Sequence, residues 1–497
     1  HNDPAWYKRN PKLFESAAKV SFSNAYGMPV KFVDKQNLGN VTIGDSSYLP
    51  GICRLLIKAG IGINDSLADD VNVASRLVYA AVRRANSGAR NYEAPDYMTY
   101  LLAMGSAYSW YMELCRLYGI YNTYSVTNRY IGKVMVQSMG YDYNDILQNL
   151  PNLRYHINYL ATKFNSFAVP KQFNYYLRCL WLPQNVYTDC DLDKAAFYFY
   201  QFKNSLIWNG TSSSTGSMLK DTVRPGCAYD TDVCKFANII SHSNIIINGL
   251  MLNEDIAIMS GDTLKAFGNN GLFQLQGIDE KYMTIPLYNK EVLNQIHNTM
   301  CLNVPYTETG NTAIANWDVT QVNGHLQYIP EFPWTAPLDV LNIQDQATYT
   351  KLGNLYTSFT PILDSGEEEP SPDSVMEATR FHFTGGAEFL VNTSNKTVTS
   401  NFEITSCGTE ICVHTVFYYS RSWNNDLVAT IVLTDLQSNK GLGTIYPIMM
   451  ADATDESNEG PDAVRRYMHF SRYFDWAPIN YTVLSIDGSS TYNVYPI

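Results

Sequence analysis

Charge is scarce in this chain: Asp, Glu, Lys and Arg make up 16% of its 497 residues, against about 25% in an ordinary soluble domain. A surface that poor in charge suits permanent contacts. Long apolar runs are missing too. The nearest, residues 245–252, is interrupted by Asn248 and Gly249 and falls far short of the roughly 20 residues that span a bilayer, so no self-anchoring helix is expected. Enzyme signatures are equally absent. There is no Walker loop, no His-Glu-x-x-His pair and no Gly-x-Ser-x-Gly elbow. Gly60-Ile61-Gly62 and Gly441-Leu442-Gly443 lack the third glycine of a dinucleotide loop and read as turns. Nine cysteines show no tight repeated spacing, and an odd number favours reduced thiols in a cytosol-like compartment over a disulfide framework. The Asn-x-Ser/Thr sequons at Asn40, Asn64, Asn209, Asn392, Asn395 and Asn480 are what an Asn-, Ser- and Thr-rich chain produces by chance. The chain opens at His1 with no signal-peptide pattern, which is the expectation for a segment with something removed upstream.

Aromatic rings are what the chain has in quantity, with 37 Tyr, 21 Phe and 8 Trp. Tyrosine buries a large ring while keeping a hydroxyl for a polar rim, which fits a subunit interface, and also a saccharide-binding cleft. The densest stretch, residues 86–130, contains a helix pattern that is apolar around most of its circumference. Pro95 suits a first helical turn, Asp96 favours its positive end, and Gly119 is placed to stop it. Between Asp96 and Gly119 only Glu113 and Arg116 are charged. Such a helix belongs in the middle of a large domain or in a subunit contact, and Tyr97, Tyr100, Tyr108, Trp110, Tyr111 and Tyr118, with Phe474 and Trp476 near the far end, are candidates for burial in the core or between subunits.

The net charge of −12 is unevenly spread. Residues 361–497 hold 7 bases against 18 acids, so nearly the whole excess lies in the last third. Residues 1–60 run the other way, with Lys8, Arg9, Lys12, Lys19, Lys31, Lys35, Arg54 and Lys58 outnumbering the acids. One end could thus meet a polyanion while the other faces solvent. Lys8, Arg9, Lys12 and Lys19, beside Trp6, Tyr7 and Phe14, are the candidate phosphate contacts; a solvated arm packing its rings on a neighbour explains them equally.

Residues 1–60 lack sustained periodicity and read as an extended arm. A helical face begins after Leu67 (Val71, Ala74, Leu77, Val78, Ala81, Val82), followed by the tyrosine-rich helix, residues 128–139, residues 142–150, and a helix from Pro151 carrying Leu153, Ile157, Leu160 and Phe164. Residues 206–226, rich in Ser, Thr and Gly, read as a loop. Residues 387–395, 398–406, 411–420 and 427–433 read as strands bracketed by acidic loops. The fold class expected is mainly α with a smaller mixed α/β part: an arm (1–60), a helical body (61–270), a strand-richer module (271–450) and a C-terminal segment (451–497). Cys407, Cys412 and His414 come closest to a metal cluster, but their spacing fits no zinc knuckle and no fourth ligand is evident, so no metal and no cofactor is assigned. Cys227, Cys234 and His242 carry less weight still.

Six stretches stand out: HNDPAWY (1–7), NSGARNYEAPDYMTYLLAMGSAY (86–108), VTNRY (126–130), IMSGDTLKAFGNNGL (258–272), MEATR (376–380) and FDWAP (474–478). They resemble the capsid proteins of picobirnaviruses, small viruses with segmented double-stranded RNA genomes. Similarity thins over 306–374 and 392–461. The resemblance implies a helical shell domain and a protruding domain, symmetric homodimers closing into an icosahedral particle around double-stranded RNA in the virion, assembly in the host cytoplasm, contact with a host membrane during entry, no small-molecule substrate and no enzyme activity. The family's strongly basic tail precedes the matching start. Two alternatives stand beside this reading: a secreted carbohydrate-active enzyme with a tyrosine-lined cleft and paired carboxylates, and a surface adhesion module using the acidic last third.

Overall fold

A computed structural model describes residues 52–61, 66–88, 92–123, 131–189, 196–212, 216–227, 233–299, 317–328, 369, 371–381, 410–420, 476 and 478, and as backbone strands 29–30, 47–48, 334–337, 383–392, 397–406, 427–432, 442–445, 448–451, 481–486 and 492–496. In chain order, the helical body starts with strand β1 (Ile52–Ala59), then helices α1 (Asp70–Ala85), α2 (Ala94–Asn122), α3 (Ile131–Ser138), α4 (Tyr143–Gln148), α5 (Leu150–Phe164) and α6 (Tyr175–Gln184). Strands β2 (Tyr187–Thr188), β3 (Phe197–Phe202), β4 (Asn204–Ser212) and β5 (Gly216–Val223) follow, then α7 (Phe236–Met251), α8 (Glu254–Phe267) and α9 (Lys290–His297). Beyond them lie β6 (Thr320–Val322), β7 (His325–Gln327), β8 (Trp334–Pro337), α10 (Pro372–Ala378), β9 (Phe383–Asn392), β10 (Thr397–Ser406), β11 (Glu410–Ser420) and β12 (Leu427–Val432). The chain is mainly α with a smaller strand-bearing part. Among the described residues no helix is long and apolar enough to cross a membrane.

Helix α2 is the axis of the body. Its 29 residues span about 43 Å at 1.5 Å per residue, and 24 of them are buried, because its apolar residues encircle it and every flank must be covered. Helices α1, α5, α6 and α3 and the β4–β5 hairpin supply that cover. The start is set by a reciprocal cap, in which the Glu93 N–H donates to Asp96 Oδ2 at 3.0 Å and Pro95 occupies the first turn. The end differs from the expectation. Gly119 does not stop the helix, which continues to Asn122; a Cβ at Gly119 would overlap Thr284, so the glycine is there for close packing.

The body also contains a five-stranded sheet, ordered β12-β11-β1-β3-β2. β1 lies parallel to β3 and antiparallel to β11, with Arg54 opposite Phe199 on one side and Val416 on the other. β1 lies within the segment read as an arm, and β11 within the strand-richer module, so the sheet crosses both of those compositional boundaries. The reason is physical: ICRLLIKA is buried along almost its whole length and needs a partner on each edge. Arg54 and Lys58, counted among bases that could meet a polyanion, are buried and turn inward, which corrects that part of the reading.

The loop expected over 206–226 is instead the β4–β5 hairpin, with Leu206 opposite Asp221 and Trp208 opposite Leu219. Polar composition misled here because it includes buried polar residues. Ser217 is fully buried, since both its N–H (3.0 Å) and its hydroxyl (2.7 Å) donate to Asp96 Oδ1. Strands β9 to β12 fall within a few residues of the stretches read as strands, β9 and β10 forming a long antiparallel pair that β8 extends.

Candidate functional site

The only two charges inside the span of α2 after its first turn, Glu113 and Arg116, are both fully buried, and the centre of the body is built around them. Glu113 pairs with Arg224 at 2.9 Å, both side chains having no exposure. The other carboxylate oxygen of Glu113 accepts from the Tyr141 hydroxyl (3.0 Å) and from Gln201 Nε2 (2.6 Å). Arg224, at the end of the hairpin, also donates to Ser109 Oγ at 2.6 Å, to Ser205 Oγ at 2.8 Å and to the Ser106 carbonyl at 3.3 Å. Its guanidinium lies over the rings of Trp110 and Phe202. A buried ion pair is tolerable only when its remaining donors and acceptors are met in this way.

Two more arginines complete the network. Arg54 of β1 donates to the Ser138 carbonyl at 3.2 Å, the Gly226 carbonyl at 2.9 Å and Cys227 Sγ at 3.2 Å. Arg116 donates to the Tyr200 carbonyl at 2.7 Å and covers the Phe199 ring; burial pulls its pKa down to about 10. Gly140 and Gly226, both at positive φ, let two backbone segments meet beside Arg54; a Cβ on Gly140 would overlap the Gly226 backbone. α2, α3, the sheet and the hairpin thus share one charged centre.

Ser205 Oγ lies 3.0 Å from His242 Nε2. Arg224 Nε donates to the same serine oxygen at 2.8 Å, so the hydroxyl links the guanidinium to the imidazole. This resembles a nucleophile and base, but both residues are buried, and burial, reinforced by Arg224, pushes the His242 pKa down to about 3. The best-formed cavity, lined by Ser106, Ser109, Tyr175, Asn204, Asp221 and Tyr328 among others, has room for about one water molecule. The pair acts as packing and hydrogen bonding inside the body. Among the described residues no cluster of three metal-binding side chains exists; Cys412, Cys227 and Cys234 are buried, and burial raises the Cys227 thiol to about 11.

The tyrosine-rich face of α2 works as a set of spokes. Tyr97 shares a 2.8 Å hydrogen bond with Thr263, Tyr100 donates to the Ala168 carbonyl at 2.7 Å, and Trp110 Nε1 to Ser243 Oγ at 2.9 Å. Tyr111 and Tyr118 donate to the carbonyls of Gln276 and Glu280, and Tyr108 packs edge-on against Tyr176 with ring centres 5.2 Å apart. The segment that receives Tyr111 and Tyr118 is an extended strap after α8. Asn158 and Asn165 clamp it by their amides, each exchanging two hydrogen bonds of 2.8–3.0 Å with the backbone of Ile278 and Leu275. Trp476 is half-buried, its N–H donating to the Tyr198 hydroxyl at 3.2 Å. Phe474, Lys8, Arg9, Lys12 and Lys19 lie outside the described residues, as do Cys407 and the His414 side chain. Sequence reasoning did not single out Arg224, Ser205 or Gln201; the two isolated charges on an otherwise apolar helix were the signal that a buried partner had to exist.

What this body is built for follows from its relatives. The family model described as picobirnavirus capsid protein matches residues 6–484. The chain belongs to the picobirnavirus capsid protein family. A picobirnavirus capsid relative, the capsid protein precursor of human picobirnavirus (strain Human/Thailand/Hy005102/-), is 29% identical over 392 residues, which cover 76% of this chain and 68% of that protein. The fold is that of the picobirnavirus capsid solved by X-ray crystallography, with a TM-score of 0.74 at 24% identity, over 100% of this chain and 93% of that one. The charged centre, the strap and the ring-bearing helix are therefore the interior of a capsid subunit, and the chain's role is structural.

Proposed function

We propose that this capsid protein associates as homodimers, that the dimers close into an icosahedral shell, and that the shell encloses segmented double-stranded RNA. Membership of the capsid family over nearly the whole chain carries the reading. The surface supports it: Leu77, Tyr155, Leu252, Ile285 and Met376 are each between 64% and 81% exposed. Apolar side chains left in water on a protein of low charge suit burial against further copies. In this reading Lys8, Arg9, Lys12 and Lys19 face the RNA, the strands between 334 and 406 belong to an outward protrusion, assembly occurs in host cytoplasm, and a host membrane is met during entry.

The test is to express the chain, purify whatever sediments as particles, and treat it with nuclease. Recovery of protected RNA from closed particles supports the proposal. A protein that stays monomeric at high concentration and carries no RNA refutes it.

A further inference from the structure

Helix α1 packs Val82 into the core, with Val71, Ala74, Val78 and Tyr79 against it, and two buried polar residues among them, Asn72 and Ser75, fix its position by hydrogen bonds. Asn72 donates to the Leu326 carbonyl at 3.0 Å and accepts from the Leu326 N–H at 2.8 Å, and Ser75 donates to the Ala94 carbonyl at 2.6 Å. Its outward residues are largely apolar: Val73 is 37% exposed and Leu77 67%, with Ala80 and Ala81 exposed beside them. Asp70, Val73, Leu77, Ala80 and Arg84 follow one another at steps of three, four, three and four, the spacing of a seam that packs against another helix.

The charges on this seam decide what covers it. Asp70 stands in the first turn and Arg84 in the last, seven residues either side of Leu77, and both are exposed. Among the described residues neither forms an ion pair. If the same helix from a second copy is laid antiparallel across it, with a two-fold axis at Leu77, Asp70 of each copy meets Arg84 of the other. Val73 then faces Ala81, Ala74 faces Ala80, and Leu77 meets its own equivalent. The alanines allow close approach. A parallel arrangement would instead set Asp70 against Asp70 and Arg84 against Arg84. Of the two arrangements, only the antiparallel one, with the two-fold axis perpendicular to the helix, makes the stripe self-complementary in charge, as an isologous contact requires.

We propose that the exposed face of α1 is a dimer contact, formed antiparallel with the α1 of a second copy about a two-fold axis at Leu77. The inference rests on the assembly reading and adds to it the surface through which one pair of subunits meets.

The test uses the full chain with four variants. Leu77→Cys places two thiols on the axis and should yield a covalent dimer under mild oxidation, in free protein and in purified particles. Leu77→Asp should shift the free protein to monomer in light scattering coupled to size exclusion, with an unchanged circular dichroism spectrum because the side chain is already solvent-facing. Asp70→Arg should weaken dimerisation roughly tenfold, and the swap Asp70→Arg with Arg84→Asp should restore it, because opposite charges meet again across the axis. The proposal is overturned if the Leu77→Asp protein associates like the wild type and Leu77→Cys gives no cross-link, including the case in which another segment of the same chain covers the face and only protease sensitivity changes. Failure of the wild-type chain to associate at all would instead refute the assembly reading beneath it.

Discussion

Replacing Arg224 by Met tests the charged centre directly. The substitution keeps an unbranched apolar stem but removes the guanidinium that lies over Trp110 and Phe202, pairs with Glu113 at 2.9 Å and donates to Ser109, Ser205 and the Ser106 carbonyl. Glu113 would keep Tyr141 and Gln201 yet lose its only described counter-ion within bonding distance. Breaking one side of a buried pair costs about 3–5 kcal/mol, most of it from the charge left behind. Adding Glu113→Gln removes that stranded charge, so the double variant should be more stable than Arg224→Met alone, with a coupling energy of roughly 2 kcal/mol or more. Urea unfolding followed by tryptophan fluorescence is the assay, since Trp110 packs directly against the site. The argument fails if Arg224→Met lies within about 1 kcal/mol of the wild type, or if the two substitutions simply add.

Three further outcomes are expected. Gly140→Ala should destabilise the body by about 2 kcal/mol or more, because φ is +84° and a Cβ would overlap the Gly226 backbone, whereas Gly261→Ala, in the exposed interior of α8 with open space around it, should stabilise by about 0.5–1 kcal/mol in the same thermal melts. His156 is buried with its ring against Tyr159 and Phe236, and burial lowers its pKa to about 4. A histidine whose folded pKa is depressed binds its proton more readily when unfolded, so stability should be flat above pH ~6.5 and fall between there and about 4; His156→Phe should flatten that slope in urea titrations across pH. Asp96 is held below the usual carboxylate range: burial alone would raise it, but hydrogen bonds from Glu93, Ser217 and Gln321 outweigh this, so Asp96→Asn should cost about 1–2 kcal/mol at neutral pH and lose that deficit as acid protonates the wild type.

Much of this architecture could be read from residue order, and the failures have identifiable causes. α2 was legible because a helix apolar all round can only be central, and β9 to β12 because alternating β-branched and aromatic residues between turns leave little else. The β4–β5 hairpin was hidden by its own polarity: Ser217 is interior only because Asp96, 121 residues earlier, receives both its donors. Gly119 looked like a helix stop since nothing local announces that Thr284 will press against it. Arg54 and Lys58 were counted in the basic excess of the first 60 residues because their partners, the Ser138 and Gly226 carbonyls for one and Asp221 at 2.6 Å for the other, lie far along the chain. Every one of these misreadings comes from a long-range partner, which spacing along the sequence does not encode.

The most direct test of the account is the mass and shape of the expressed chain in solution. Light scattering across a concentration series, with electron micrographs of the same fractions, should give dimers that pass into closed particles of uniform diameter containing nuclease-resistant RNA. A monomer that stays soluble over the whole range with no particles in the images would contradict the claim that this protein works by association with itself.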